Sequence, residues 1–292
     1  MQSSRKRKQI SGRSSIKPPR TTAGCRRRPT EDPYSDYPRP TAEECRSVRD
    51  DLFSLRGFPQ EFVKYREQRL QMALRESQFL TNGGDCGEKE SVLDGLIRTV
   101  LSQNTTEVNS ERAFGNLKCA FPTWEQVLAA ESKGIEDAIR CGGLAPTKSS
   151  CIKNLLNCLL QQKGKLCMEY LRELSVEAIK AELSHFKGIG PKTVACVLMF
   201  QLQKDDFPVD THVSKVNVVV SMDATVQDIK KTYLHLNQRI PDELKFDLNC
   251  LLYTHGKACK RCSNRNVGGL ENETGEGHCP LLAYHTHHAP EK

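Results

Sequence analysis

The sequence predicts an all-α protein of 292 residues. Three observations carry that expectation. From residue 41 onward, apolar residues recur at the three- and four-residue spacing that lines one face of a helix. Capping signals open several of these stretches, and glycines or prolines close them. Only residues 216–220 are β-branched enough to suggest a strand, and one isolated strand cannot build a sheet.

Taken in order, Thr41 with Glu44 forms a capping box ahead of an amphipathic first helix, and a second helix runs over about 60–77. Residues 78–90 contain Thr81, Asn82, Gly83, Gly84 and Asp85 in succession and read as a loop. Val92, Leu93, Leu96, Val100 and Leu101 then share a helical face. Thr123 with Gln126 caps a short helix over 124–130, and another over 135–141 stops at Gly142 and Gly143. Further helices are expected at about 147–162, 176–186, 192–203, 211–221, 225–238 and 241–256. No internal repeat of solenoid length is visible.

A chain of this length can bury a full core in one large or two interlocked domains. No apolar run approaches the roughly 18 residues of a membrane span, and the charged N-terminus lacks the apolar run of a secretory signal. The thirteen cysteines are scattered, which favours reduced thiols and makes any cluster a metal site first.

The net charge of +7 is unevenly placed: the first 40 residues hold eleven Lys/Arg against three Asp/Glu, so the remaining body is close to neutral. Residues 1–40 are rich in Ser, Thr, Pro and Arg and poor in large apolar residues, so they read as a disordered basic tail. Arg5-Lys6-Arg7-Lys8 and Arg26-Arg27-Arg28 are runs of the kind that serve nuclear import or bind phosphates. The same composition fits a mitochondrial or chloroplast transit peptide, or a solvated tail with no address.

The sharpest local feature is the run from Leu183 to Leu198. A helix ends at Phe186, and Gly188 and Gly190 are expected to supply backbone angles that other residues avoid. Pro191 suits the first turn of the next helix. The free N–H groups there make a seat for a phosphate oxygen, which would hold a DNA backbone without reading bases. A bare helix-turn-helix corner explains the same residues. Farther on, Phe207-Pro208-Val209-Asp210-Thr211-His212-Val213 puts Asp210 at an N-cap position. A lysine, Lys192, and a carboxylate, Asp210, thus open two helices. Imine chemistry on a sugar needs such a pair: an amine kept neutral by desolvation, and a carboxylate that stabilises positive charge and carries a proton.

These residues resemble the helix-hairpin-helix glycosylase superfamily in its Gly-x-Gly-x-Lys turn and Pro-Val-Asp-Thr-His element. The chain is most similar to the endonuclease III branch and to plant DEMETER-type 5-methylcytosine glycosylases. A third element, Leu101-Ser102-Gln103-Asn104-Thr105-Thr106, resembles the family's Leu-Ser-Gln-x-Thr-Thr signature, and the similarity runs from about Val92 to Cys262. The resemblance implies two helical halves gripping a DNA-binding cleft. One is a central bundle over about 90–200; the other joins 41–77 to 211–262, with Asp210 at the mouth. It implies a bifunctional DNA glycosylase and AP lyase of base excision repair, monomeric, acting on double-stranded DNA with a damaged or modified base. Lys192 matches the nucleophile that attacks the sugar C1′, and Asp210 matches its aspartate partner. Gln103 matches the residue that fills the space left by the flipped nucleotide; alone, it reads as a polar residue ending a helix. Gly188 and Gly190 match the turn that binds DNA phosphate. The alternative is a non-catalytic helix-hairpin-helix DNA-binding protein.

Two departures stand out. The endonuclease III branch closes on four cysteines that ligate a [4Fe-4S] cluster. Here Cys259, Cys262 and Cys279 align, residues 267–277 read as an inserted loop, and no cysteine follows Cys279. Cys250 could supply the fourth ligand, His278 or His285 could complete a cluster or a zinc site, or no metal is held. The other departure is Lys215, where relatives usually place Arg; a lysine keeps a phosphate contact without bidentate geometry. Cys119, Cys141, Cys151, Cys158, Cys167 and Cys196 read mostly as small residues on apolar helix faces.

Overall fold

The computed structural model describes residues 32–77, 90–210, 213, 229–259 and 279–284. Among them there are eleven α-helices and no strand. The helices expected at 211–221 and at the start of 225–238, the strand candidate at 216–220 and the loop after residue 77 lie outside the described residues.

The capping boxes form as expected. Thr41 Oγ1 accepts from the Glu44 N–H at 3.2 Å while the Glu44 carboxylate accepts from the Thr41 N–H at 2.8 Å, opening α1 (Ala42–Arg56). Thr123 and Gln126 do the same for α5 (Trp124–Ala129). The second helix, α2 (Gln60–Ser77), is followed after the described gap by α3 (Val92–Leu101) and α4 (Glu107–Ala120). Beyond α5 come α6 (Ser132–Ile139), α7 (Ala145–Lys163), α8 (Val176–Leu183) and α9 (Pro191–Cys196). The last two are α10 (Ile229–Arg239) and α11 (Asp242–Ala258). One expected helix changes character. After Cys196 the chain passes into a π-turn, Val197–Gln201, where the Leu202 N–H reaches back five residues to Val197 O at 3.0 Å.

Two apolar cores divide the chain into halves. The first joins α3 to α9 around Leu96, Ile97, Ile152, Leu156 and Leu198. The second gathers α1, residues 207–213, α10, α11 and residues 279–284 around Leu52, Phe207, Leu248, Leu252 and Leu281. A smaller cluster of Met199, Phe246 and Cys250, flanked by Phe62, Tyr65 and Phe200, bridges them. From α2, Arg66 grips Asp247 with two nitrogens at 3.1 and 2.7 Å, and Arg69 donates to Met199 O at the π-turn.

Disorder was expected through residue 40, and the structure corrects that expectation for residues 32–40. Asp32 accepts from His235 Nδ1 at 2.7 Å, His235 Nε2 faces Arg39 O at 2.7 Å, and Tyr34 and Tyr37 flank the fully buried imidazole. The ordering partners lie on α10, about two hundred residues away, where local composition cannot see them. Burial alone would raise the Asp32 carboxyl. Hydrogen bonds from His235 and the Tyr34 N–H, with the charges of His235 and Arg239, outweigh it and hold the carboxyl below its usual value. A depressed carboxylate contributes stability that is full above the unfolded pKa and lost as pH falls through the folded one. The difference in thermal stability between the wild type and Asp32→Asn should therefore shrink as pH drops into the acid range.

Lys148 is another buried group outside the sequence reading. It is 2% exposed on the apolar stripe of α7 and donates to Leu101 O at 2.7 Å and Gly142 O at 2.8 Å. Burial pushes its amine below the usual lysine value. The contact closes the C-terminus of α3, two residues before Gln103. Lys148→Met keeps the stem but strands two buried carbonyls, at about 1–3 kcal/mol each, less the regained cost of desolvating the ammonium. A net loss of about 2 kcal/mol is expected, read as a lower melting temperature.

Candidate active site

The hairpin is built by close packing. After α8 the Phe186 N–H bonds back to Leu183 O and the Ile189 N–H to Phe186 O, at 3.3 and 3.1 Å, turning the chain twice between Leu183 and Ile189. Gly188 sits at φ +93°, and a Cβ there would lie 2.6 Å from Cys151 Sγ on α7. The Cys151 thiol in turn donates to Lys187 O at 3.5 Å. Gly188 is thus required twice, by its backbone angle and by the approach of α7. Gly188→Ala should cost about 1–3 kcal/mol. Cys151→Ala in the same chain should return the steric part and leave the backbone strain, which a double-mutant cycle of melting temperatures would read.

Gly190 corrects an expectation. Its φ is −89°, an ordinary angle for any residue, and a Cβ there would meet nothing within 4 Å. What glycine supplies at 190 is bare, open space at the mouth of α9, not an unusual turn. Beyond it Thr193, Val194 and Ala195 are buried, which fixes the rotation of α9 and turns Lys192 outward.

Asp210 arrives from the other core on a braced extended segment. Asn237 brackets Phe207, accepting from its N–H at 2.8 Å and donating to its carbonyl at 3.1 Å. Asn249 of α11 donates to Pro208 O at 2.7 Å. Asp206, fully buried, accepts from the Tyr233 hydroxyl at 2.8 Å and pairs with Lys180 of α8 at 3.2 Å, tying the two halves beside the hairpin. The sequence reading passed over Asn237 and Asn249. A buried asparagine on a helix facing a polar main chain has no periodic signature.

So braced, Asp210 presents its two oxygens to two tasks. Oδ1 accepts from the Val213 N–H at 2.8 Å, an N-cap bond, and Oδ2 lies 3.8 Å from Lys192 Nζ. One carboxylate can thus cap a helix and face a lysine at the same time. The aspartate side chain is 11% exposed and the lysine side chain 59%, so the desolvation expected for the amine is not supplied by the protein alone. Gln103 reaches α9 as well: its Nε2 donates to Thr193 Oγ1 at 3.1 Å, one residue after Lys192. Burial raises the Cys196 thiol to about 11, with Lys192 opposing and Asp210 and Asp206 adding to the rise. That thiol stays protonated and is no rival nucleophile. Cys196 is half-buried, Cys119 is exposed, and of the six cysteines expected on apolar faces only Cys151 is buried. Lys215 lies outside the described residues.

Of the expected metal ligands, Cys259 and Cys279 come together, and His255 joins them. His255 Nε2, Cys259 Sγ and Cys279 Sγ all lie within 4.8 Å of one another, and the first is 3.4 Å from the last. Cys250 does not join them. It is buried with Met199 and Phe246, and burial pushes its thiol well above the usual value. Cys262, His278 and His285 lie outside the described residues. A four-iron cluster puts a separate iron behind each protein ligand and spreads the ligand atoms. Ligands sharing one tetrahedral ion at ~2.3 Å to sulfur and ~2.0 Å to nitrogen are instead about 3.6 Å apart. His255 Nε2 and Cys279 Sγ stand at the second spacing, and Cys259 Sγ lies within 4.8 Å of both. His255 carries no ligand signal in the sequence because it stands inside α11, one helical turn before Cys259, where a histidine reads as part of a helix face.

Comparison with known proteins now decides the relationship. The profile of the HhH-GPD superfamily base excision DNA repair proteins matches residues 97–242, which take in Gln103, the hairpin, Lys192 and Asp210. The chain belongs to this superfamily. This HhH-GPD protein is 56% identical over 262 residues to an Arabidopsis thaliana protein provisionally named a DNA glycosylase, covering 87% of this chain and 88% of that one. It is 27% identical to the endonuclease III of Sulfolobus acidocaldarius, over 69% of this chain and 87% of the other. The DNA glycosylase/AP lyase ROS1 of Arabidopsis thaliana shares 32% identity over 32% of this chain, but only 7% of ROS1. Among solved structures, a trapped endonuclease III–DNA covalent intermediate superposes with a TM-score of 0.54 at 20% identity, covering 75% of this chain and 87% of that chain. That likeness shows the shared fold, and the expected helix-hairpin-helix glycosylase architecture holds.

Proposed function

We propose that this HhH-GPD protein is a bifunctional DNA glycosylase and AP lyase in base excision repair. Its substrate is double-stranded DNA carrying an oxidised pyrimidine or 5-methylcytosine. The observation that carries the reading is the Lys192–Asp210 pair, an exposed amine 3.8 Å from a braced carboxylate where the two cores meet.

The target nucleotide turns out of the stack, and Gln103 leaves Thr193 to fill its place. Gly188 shapes the hairpin, Gly190 leaves its mouth bare, and Lys215 adds charge, so that the turn holds DNA phosphate. The duplex then supplies the water exclusion that the free protein lacks at Lys192. The lysine nitrogen forms a bond to the sugar C1′ as the bond from C1′ to the base breaks. Asp210 stabilises the positive charge that develops on the sugar and takes a proton from the amine. The sugar ring then opens to an imine between C1′ and the lysine. Loss of a C2′ proton expels the 3′ phosphate and nicks the strand, and water later hydrolyses the imine to free the lysine. The protein acts as a monomer in the nucleus, with the basic runs of the N-terminal tail as import signal and auxiliary DNA contact.

A panel of duplexes, each with one modified base opposite its natural partner, tests the proposal. Base release with strand nicking is expected on at least one oxidised pyrimidine or on 5-methylcytosine. Tight binding with neither release nor nicking, on these and on an abasic duplex, would leave a non-catalytic DNA-binding protein.

A further inference from the structure

We infer that His255, Cys259 and Cys279 ligate a single zinc ion that staples residues 279–284 to the end of α11, in place of an iron–sulfur cluster. The donors come from two independently anchored segments. His255 is on the last turn of α11 and Cys259 is its C-cap, with the Cys259 N–H donating to His255 O at 2.8 Å, so the two residues stand one turn apart. His255 is 4% exposed. Cys279 is 2% exposed and is held by its own neighbours: Leu281 is fully buried in the second core, and the Tyr284 hydroxyl donates to Asp51 Oδ2 of α1 at 2.6 Å. The imidazole nitrogen and the buried sulfur are already 3.4 Å apart, with Cys259 Sγ inside the same 4.8 Å.

The chemistry narrows the ion. Two thiolates and one imidazole are soft-to-borderline donors that exclude magnesium and calcium and favour zinc. Binding the ion releases the thiol protons, and the divalent cation then neutralises the two thiolates beside the buried His255 and Cys279. Because Cys259 and Cys279 are 20 positions apart, the ion joins distant parts of the chain and its binding energy becomes folding energy. The rival explanation is a thiol–imidazole hydrogen bond with no ion.

The test uses the full chain, purified without a metal-affinity tag or chelator. Elemental analysis is expected to find one zinc per chain with neither iron nor acid-labile sulfide. After zinc is stripped, cobalt(II) should give the intense visible bands of a tetrahedral, thiolate-ligated ion. Those bands should persist in Cys119→Ser, an exposed cysteine elsewhere. In Cys259→Ser, cobalt affinity should fall by more than about 100-fold, beyond what loss of a supporting contact costs. Four irons with sulfide, a metal-free chain with no cobalt bands, or bands undiminished in Cys259→Ser would each overturn the inference. Should Cys259→Ser not fold, the stoichiometry and cobalt spectrum of the wild type decide alone.

Discussion

Lys192→Ala is expected to abolish strand cleavage at an abasic site, lowering the nicking rate by at least about 10³-fold, the scale on which loss of a covalent nucleophile is felt. The fold should be untouched. The Lys192 side chain is 59% exposed, and the turn of α9 is set by Thr193, Val194 and Ala195. An exposed substitution of this kind stays within about 0.5 kcal/mol. Affinity for an abasic duplex should fall only by what one surface cation contributes, so binding and cleavage separate. Lys192→Arg should fail to rescue cleavage. A guanidinium keeps the charge and the reach but does not become a neutral amine at working pH. Single-turnover nicking, with binding measured in parallel, checks all three expectations. Cleavage that survives in Lys192→Ala would move the nucleophile elsewhere.

Asp210→Asn should lower the same single-turnover rate by about 10²–10⁴-fold, the usual worth of a positioned acid–base group. This substitution is informative because Asp210 does two things. Its Oδ1 accepts from the Val213 N–H, and asparagine caps helices about as well as aspartate, so the structural task survives. Its Oδ2 faces Lys192, and there the amide offers neither charge nor a proton-accepting carboxylate. The melting temperature should therefore hold while the rate collapses. Asp210→Ala should lose both, with about 1 kcal/mol of stability gone along with the cap. A rate unchanged in Asp210→Asn would reduce the residue to its N-cap.

Much of this was legible before any coordinate. The helices α1 and α5 declare themselves because capping chemistry is local: Thr41 needs Glu44 three residues on, and Thr123 needs Gln126. Lys192, Asp210 and Gln103 were legible as motifs; the structure sets Lys192 3.8 Å from Asp210 and bonds Gln103 to Thr193, the residue after Lys192. What escaped was whatever depends on distant partners. Residues 32–40 are ordered by His235 and Arg239, and nothing in their own composition announces it. Gly190 was credited with a special angle because it stands in a Gly-x-Gly run, yet only Gly188 meets the steric demand, and that demand comes from Cys151 on α7. Lys148 was visible in principle as one cation on an apolar stripe with Ile152, Leu155 and Leu159. The carbonyls that require it there, Leu101 and Gly142, belong to other elements. The metal ligands divide the same way: Cys259 and Cys279 were countable, while His255 became a candidate only when the fold brought Cys279 back beside it.

The central claim is that the lysine at the start of α9 becomes covalently joined to the sugar. Incubating the protein with an abasic duplex under borohydride, which reduces an imine to a stable amine, tests it directly. The prediction is a protein–DNA adduct that survives denaturation, with the modified peptide mapping to Lys192 by mass spectrometry, and no adduct in Lys192→Ala. A wild-type protein that binds the duplex yet forms no adduct, or an adduct undiminished by Lys192→Ala, would contradict the account.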